Sequence, residues 1–171
     1  MGIISRFPAG ATKPYIEEIY NSDGQLISAN MHGYDAIRDY AFYYCTNLAL
    51  ISLPSGITSI GDSAFYRCSS LALTSLPSEI TSIGDYAFYY CTNLALTSLP
   101  SGITSIGAIA FASCTSLVSL TFEGTPKRIE DSTFEDCNNL TTINVPWAEG
   151  AVANAPWGAT NATIHYNYRG A

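Results

Sequence analysis

The sequence contains few charged residues, and its basic residues are scattered. Asp, Glu, Lys and Arg together make up 12% of the 171 residues, about half the usual share of a globular protein. Only seven residues are basic against 14 acidic ones, which gives a formal net charge of −7. A protein that binds nucleic acid or an anionic membrane surface needs clustered Lys and Arg. We therefore expect neither of these as a partner.

Long apolar runs are also missing. No run approaches the roughly 18 residues that a membrane-spanning helix requires, so no membrane insertion is expected. Residues 1–6 contain too short an apolar stretch for a secretion signal, and no basic region precedes it. The sequence alone leaves the localisation of the protein unknown.

A repeat of 23 residues dominates the chain. Residues 39–61 and 85–107 differ only at Ile51 and Thr97, which indicates a recent duplication of a two-repeat block. Units of this length cannot bury their apolar side chains alone, and they stack into a solenoid in which equivalent side chains form columns. The clearest series are Cys45, Cys68, Cys91, Cys114 and Cys137, together with Phe42, Phe65, Phe88, Phe111 and Phe134.

The sequence pattern of each repeat predicts one strand, a short extended segment and a helical turn. Residues 48–54 predict a strand with residues 48, 51 and 53 pointing inward, ended by a proline that cannot donate to a ladder. A one-residue shift would instead bury residue 50 and expose Thr74 and Thr97, and both registers remain open. Residues 62–68 predict one or two helical turns. The residues expected to cap these turns are Asp39, Asp62, Asp85 and Asp131.

Residues 48–71 fit the pattern L-x-x-I-x-L-P-x-x-[IV]-x-x-I-G-x-x-A-F-x-x-C-x-x-L, which recurs over about residues 37–146. In this pattern the chain resembles the BspA-like (treponemal-type) leucine-rich repeat family. The resemblance implies a leucine-rich repeat solenoid with parallel strands on its concave face and short helical turns between them. It also implies an extracellular or cell-surface location in bacteria and a role in adhesion or protein binding.

The two ends of the chain predict caps for the solenoid. We assign residues 1–36 to an N-terminal segment and hairpin cap, with the hairpin turning at Asp23 and Gly24. Five repeats follow over residues 37–146, and residues 147–171 form a C-terminal cap. In that cap, residues 147–157 predict a short helix broken by a proline, and residues 163–168 predict a last strand.

Neither a catalytic nor a metal site is expected. The cysteines lack C-x-x-C spacing, so we predict a column of buried free thiols, with disulfides as the weaker alternative. His32 and His165 lie in opposite terminal segments and cannot share a site in a stack. We predict no enzyme and no cofactor. A cluster of acids in the last repeat is expected to be a solvated face, with a Ca²⁺ site as the alternative: Glu130, Asp131, Glu135 and Asp136.

Two series of side chains are candidate binding surfaces. Tyrosines flank the Ala-Phe turn of the first three repeats and provide contact area and hydroxyl groups; the alternative is that they pack along the convex side and shield its turns. We call them the tyrosine face: Tyr40, Tyr43, Tyr44, Tyr66, Tyr86, Tyr89 and Tyr90. The second candidate is an exposed apolar strip flanked by hydroxyls, expected only in the first strand register: Leu50, Leu73, Leu96, Ser52, Ser75 and Ser98.

These observations predict a non-catalytic, adhesin-like or receptor-binding module. Its partner would be a protein or carbohydrate on a host or neighbouring cell surface. The alternative is a self-associating structural or prophage-related component, in which the same surfaces form a homo-oligomer interface.

Overall fold

The computed structural model describes residues 14–170. The start of the chain, including residues 1–6 discussed above, and Ala171 lie outside the described residues. Eleven strands and no helix are found within the described range. The parallel-strand solenoid that the repeats predict is confirmed, whereas the predicted helical turns are wrong.

An antiparallel hairpin lies at the N-terminal end of the stack. It consists of β1 (Tyr15–Tyr20) and β2 (Leu26–His32). The side chain of Asn21 accepts hydrogen bonds from the amides of Asp23 and Gln25 and so closes the turn. The amide of Ala49 donates to the carbonyl of Ile27, which joins the hairpin to the first repeat.

Two parallel sheets run along the stack. One has five short strands paired 23 residues apart: β3 (Ala36–Ile37), β4 (Ser59–Ile60), β5 (Ser82–Ile83), β7 (Ser105–Ile106) and β9 (Arg128–Ile129). The other has four strands: β6 (Ser98–Leu99), β8 (Ser119–Phe122), β10 (Thr142–Asn144) and β11 (Thr163–His165). Each repeat contributes one rung, so residues 23 apart in sequence become neighbours in space.

The core contains a continuous column of phenylalanine rings. Successive rings are stacked with centroid distances of 5.3, 5.3, 5.3 and 5.5 Å, from Phe42 to Phe134. All five rings are buried. The shared interior column that the 23-residue spacing predicts is therefore confirmed.

Stacked turns take the place of the predicted helical turns. In the first repeat, the amides of Tyr40, Phe42 and Tyr44 donate to carbonyls of the second repeat. The amides between them donate to carbonyls three residues earlier. This pattern requires a positive φ at two residues of each repeat, such as Tyr40 (57°) and Tyr44 (59°). A helix cannot form because alternate amides are committed to the next rung.

Three of the four aspartates predicted to cap helices, Asp39, Asp62 and Asp85, instead join neighbouring rungs. Oδ1 of Asp39 accepts a hydrogen bond of 2.9 Å from the amide of Asp62, and the same bond recurs one repeat later. Gly61 lies against this contact, and a Cβ there would approach Oδ1 and the backbone nitrogen of Asp39 more closely than real Cβ atoms do. Each of these aspartates therefore requires a glycine 22 residues later.

The strand register changes along the chain. In the second repeat Leu71, Leu73 and Leu76 are buried and Thr74 is exposed, and the first and third repeats follow this pattern. The prediction that residue 51 and its equivalents point inward is wrong in these three repeats. The alternative register is confirmed there, because Leu73 and its equivalents Leu50 and Leu96 are buried in the core.

The last two repeats follow the other register. Ser119 occupies the position of Leu73 and is exposed, while Leu120 is buried one residue later. Likewise Ile143 is buried and Thr142 is half-buried. The strands β8 and β10 are longer than β6, since the side chains now alternate between the two faces.

The C-terminal segment covers the last repeat without a helix. Residues 147–157 form bends and turns, so the predicted short helix is wrong. Trp147 and Trp157 are buried with ring centroids 6.4 Å apart. The carbonyl of Trp157 accepts a hydrogen bond from the amide of Phe134. It thus takes the place of the carbonyl that a further repeat would provide. The predicted last strand is present but ends at His165.

Candidate functional site

The tyrosine face is built on the stacked turns of the first three repeats. Tyr43, Tyr66 and Tyr89 are one repeat apart, and their rings stack with centroid distances of 4.9 Å and interplanar angles of 22° and 26°. The predicted alignment of these three rings is confirmed. Because Tyr66 is stacked on both sides, both of its ring faces are covered.

Four further tyrosines border this ladder. Tyr40 contacts Tyr43 edge-on at 5.5 Å, and Tyr86 contacts Tyr89 in the same way at 6.1 Å. Tyr40 is 61% exposed, the largest value among the seven. Tyr66 and Tyr89 are half-buried, and the other tyrosines are exposed: Tyr43, Tyr44, Tyr86 and Tyr90. All seven predicted side chains therefore form one continuous aromatic surface.

Arg67 lies within the tyrosine face and was missed by the sequence analysis. It occupies the position of Tyr44 and Tyr90 in the intermediate repeat, and its guanidinium carbon lies 5.5 and 5.1 Å from their ring centroids. A third ring, Tyr66, lies 5.9 Å away. The signal that could have found this residue is the alignment of the repeats themselves, in which one cation interrupts a series of tyrosines.

Electrostatics keep this guanidinium charged. The interaction with Tyr44, first among several, raises the pKa of Arg67 above its ordinary value. Desolvation by burial likewise raises the pKa of the Tyr43 hydroxyl, so the phenol remains protonated. At neutral pH the face therefore offers one cation, tyrosine hydroxyls and aromatic rings.

The same columns change character toward the C-terminus. In the fourth repeat, Ala112 and Ser113 occupy the positions equivalent to Tyr89 and Tyr90. In the fifth repeat the equivalent residues are Glu135 and Asp136, and both are exposed. These two columns thus carry tyrosines and one cation at one end of the stack and acids at the other. No group of three His, Cys, Asp or Glu side chains that could hold a metal ion occurs among residues 14–170.

The predicted exposed leucine strip does not exist. Leu50, Leu73 and Leu96 are buried, with Leu73 0% exposed, because these repeats adopt the alternative register. The exposed series one residue later consists of Ile51, Thr74 and Thr97. The predicted neighbouring serines differ in exposure: Ser52 and Ser75 are exposed, whereas Ser98 is half-buried and donates to Glu123.

The cysteines are free, as predicted. Four are buried, while Cys45 in the first repeat is half-buried. Each buried thiol donates to the carbonyl of a core phenylalanine 26 residues earlier, for example Cys68 to Phe42 at 2.9 Å. Burial raises the pKa of Cys68 and of Cys137 to about 12. These thiols are structural side chains rather than nucleophiles.

The two histidines lie in different strands and have different surroundings. His32 in β2 is stacked on Tyr15 with a centroid distance of 4.5 Å, and its Nε2 lies 4.0 Å from Glu17. His165 lies in β11 and is exposed.

Within residues 14–170 no helix is of the length and apolarity needed to span a membrane.

Fold and repeat together define a leucine-rich repeat solenoid. The family described as BspA type leucine rich repeat region matches residues 30–150 in six copies, where the cysteine series contains five members. The chain therefore belongs to the BspA-type leucine-rich repeat family. Our assignment of the repeats to residues 37–146 remains a prediction.

Solved structures of bacterial leucine-rich repeat proteins resemble this chain. A leucine-rich repeat protein from T. pallidum is 25% identical, with a TM-score of 0.64 over 96% of this chain and 83% of the other. A protein from Bacteroides ovatus is 20% identical, with a TM-score of 0.44 over 84% of this chain and 45% of that protein. No curated protein matches the sequence.

Proposed function

We propose that the chain is a non-catalytic binding module, exported to a cell surface, that uses its tyrosine face to contact a protein or glycan on a host or neighbouring cell. Leucine-rich repeat modules often serve in binding or adhesion, and membership of this family supports such a role. The observation that carries the proposal is the continuous surface formed by seven tyrosines and Arg67.

Two properties of this surface favour recognition over simple shielding of the turns. Five of the seven rings remain exposed, although the core beneath them is already closed. Contiguous apolar surface of this kind marks interaction sites on soluble proteins. Tyrosine also loses little conformational entropy on binding, and these rings are already held by their neighbours.

The proposal is tested by removing the exposed rings. We expect Tyr40→Ser/Tyr43→Ser/Tyr90→Ser to reduce binding to a printed array of mucin-type glycans and to immobilised extracellular-matrix proteins by roughly tenfold or more. The single variant Tyr40→Ser, which removes the most exposed ring, should show a smaller loss. Circular dichroism and thermal melting confirm that each variant is folded.

The matched control removes exposed apolar side chains elsewhere. Ile51 and Val118 are 74% and 57% exposed and lie outside the tyrosine face, so Ile51→Ser/Val118→Ser should leave binding unchanged. Equal binding by the wild type and the folded triple tyrosine variant would overturn the proposal. So would an equal loss in the control.

A second candidate function, self-association of a structural or prophage-related component, is favoured by the charge pattern. Arg67 lies near one end of the stacked turns, and the acidic Glu135 and Asp136 lie at the other. Two copies related by a two-fold axis would place opposite charges together. Light scattering during size-exclusion chromatography distinguishes the candidates: a dimer that Tyr40→Ser/Tyr43→Ser/Tyr90→Ser converts to a monomer supports self-association over binding of a foreign partner.

A further inference from the structure

The cation at the centre of the tyrosine face has no partner of opposite charge. Both ion pairs among the described residues lie elsewhere, at Glu17 with His32 and at Arg128 with Glu130. Nε of Arg67 is buried and has no hydrogen-bond partner. The guanidinium lies against three aromatic rings and interacts with the uncharged hydroxyl of Tyr66, so its charge is oriented but not neutralised.

The groups around Arg67 are also suited to an anion. The stacking of Tyr43, Tyr66 and Tyr89 covers the faces of the middle ring, whereas Tyr44 and Tyr90 on either side of Arg67 are exposed and present ring edges and hydroxyls to a ligand. The edge of an aromatic ring is its electropositive part, and a protonated phenol donates a hydrogen bond. A guanidinium, ring edges and hydroxyl donors therefore lie together.

The remainder of the chain argues against a densely charged ligand. Arg67 is the only basic residue among the stacked turns of the first three repeats, residues 39–45, 62–68 and 85–91. Asp39, Asp62 and Asp85 run beside it along the same turns, and the chain carries a net charge of −7. A polyanion would be repelled by these charges, whereas one isolated anionic group would meet only the cation.

The spacing of the rings disfavours an extended peptide. Side chains on one face of an extended chain recur about every 6.6 Å, twice the rise per residue. The tyrosine rungs recur every 4.9 Å, so a bound strand would lose register within two or three rungs. A short hydroxyl-rich ligand carries no such constraint and matches the phenol donors.

We propose that the tyrosine face binds a glycan with one isolated acidic sugar, whose carboxylate pairs with Arg67 while its hydroxyls contact Tyr44 and Tyr90. This inference rests on the proposed function and names the ligand class of the same surface. The carboxylate supplies the anionic hydrogen-bond partner that the guanidinium lacks among the described residues.

The test compares acidic sugars with a neutral parent. The probes are sialyllactose, glucuronic acid linked to lactose, and lactose itself, measured by titration calorimetry or surface plasmon resonance. We expect at least one acidic probe to bind about tenfold or more tightly than lactose, the difference that a single charge-assisted hydrogen bond produces. Arg67→Gln should abolish this difference, and Arg67→Lys should retain part of it.

Arg128→Gln is the matched control, because it removes one exposed positive charge outside the tyrosine face and should preserve the preference. Equal affinity for the acidic probes and lactose, or an unchanged preference in Arg67→Gln, would overturn the inference. Tighter binding of chondroitin sulfate or of a glutamate-rich peptide than of both acidic probes would also overturn it.

The two proposals fail in different ways. If Tyr40→Ser/Tyr43→Ser/Tyr90→Ser loses binding to the array while Arg67→Gln and removal of the carboxylate have no effect, the acidic glycan is wrong and the binding module stands. If the triple variant binds the array as well as the wild type, the tyrosine face itself is wrong.

Discussion

The first three repeats and the last two solve the same packing problem in different ways. In the second repeat Leu73 fills the interior and Thr74 faces outward, whereas in the fourth Ser119 faces outward and Leu120 fills the interior. The phenylalanine column passes through both parts with ring distances between 5.3 and 5.5 Å. The central column therefore sets the stack, and the strand adjusts its register to whichever neighbouring position is apolar.

The two parts also differ at the surface. The turns of the first three repeats carry the tyrosine face, while the equivalent positions later carry Ala112 and then Glu135. The backbone of these turns is nevertheless similar, since Tyr86 and Ser132 both have positive φ values, of 55° and 58°. The chemical character of the surface can thus change from rung to rung without a change in the backbone of the turn.

The largest expected effect tests whether the column is common to both parts. Phe88→Ala and Phe111→Ala each remove a buried ring stacked on both sides, and each should cost about 3–5 kcal/mol of unfolding free energy. Urea denaturation measures this loss. A cost confined to one of the two variants would show that the column does not stabilise both parts equally.

A somewhat smaller effect tests the register itself. Leu96→Ser empties an interior position next to the fourth repeat and should cost about 2–5 kcal/mol. Adding Thr97→Ile offers an apolar side chain one residue later, as Leu120 does, and should restore at least half of that loss by moving the register boundary back one repeat. Urea denaturation measures both variants.

Thr97→Ile alone is the control for the register experiment. It reproduces the exposed isoleucine that position 51 already carries and should change the unfolding free energy by less than about 0.5 kcal/mol. If the double variant is as unstable as Leu96→Ser, then the register is dictated by the neighbouring rungs rather than by the position of the apolar side chain.

The smallest effect concerns the thiol column, which both parts share. Burial raises the pKa of Cys68 and Cys137 to about 12, whereas an unfolded thiol titrates near about 8.5. Below that pH both states hold the proton and the stability is fully present. Above it the unfolded state alone loses the proton, so stability falls as pH rises toward 12.

Each thiol should cost about 1 kcal/mol of unfolding free energy between about pH 8.5 and 9.5, because the limiting slope of about 1.4 kcal/mol per pH unit is reached only once the unfolded thiol is fully deprotonated. Denaturation under reducing conditions measures this loss. Cys68→Ala and Cys137→Ala should each make the dependence shallower by the same amount. Slopes identical to that of the wild type would mean that these thiols do not titrate on unfolding.

The 23-residue spacing predicted the features that recur in every repeat. It did not predict the strand register or the features that occur in a single repeat. The spacing of Phe65 and its equivalents was sufficient for the core column, because stacking converts equal spacing into contact. The register at Leu73/Thr74 and Leu96/Thr97 was left open, because the equivalent positions of the first repeat, Leu50 and Ile51, are both apolar. Arg67 was overlooked because a single residue that interrupts a series leaves no compositional signal.

The turns escaped prediction for a different reason. The spacing of Phe65 and Cys68 fits one turn of a helix as well as two consecutive turns. The positive φ values fall on Ser63 and Arg67 rather than on glycine, so the usual sequence marker of this backbone is missing. Hydrogen bonds between rungs, which no single repeat can reveal, select the observed form.

The contact between Asp39 and Gly61 has a consequence for how such a chain changes in length. Asp62 with Gly84 and Asp85 with Gly107 repeat it, but the next positions hold Ala108 and Glu130, so both members are replaced together. A repeat duplicated anywhere before this junction carries both the aspartate and the glycine, so it can form the same contact with the repeats on either side. Recombination can therefore lengthen or shorten the aromatic ladder by whole rungs, and so alter the extent of this surface while the packing of the interior is preserved.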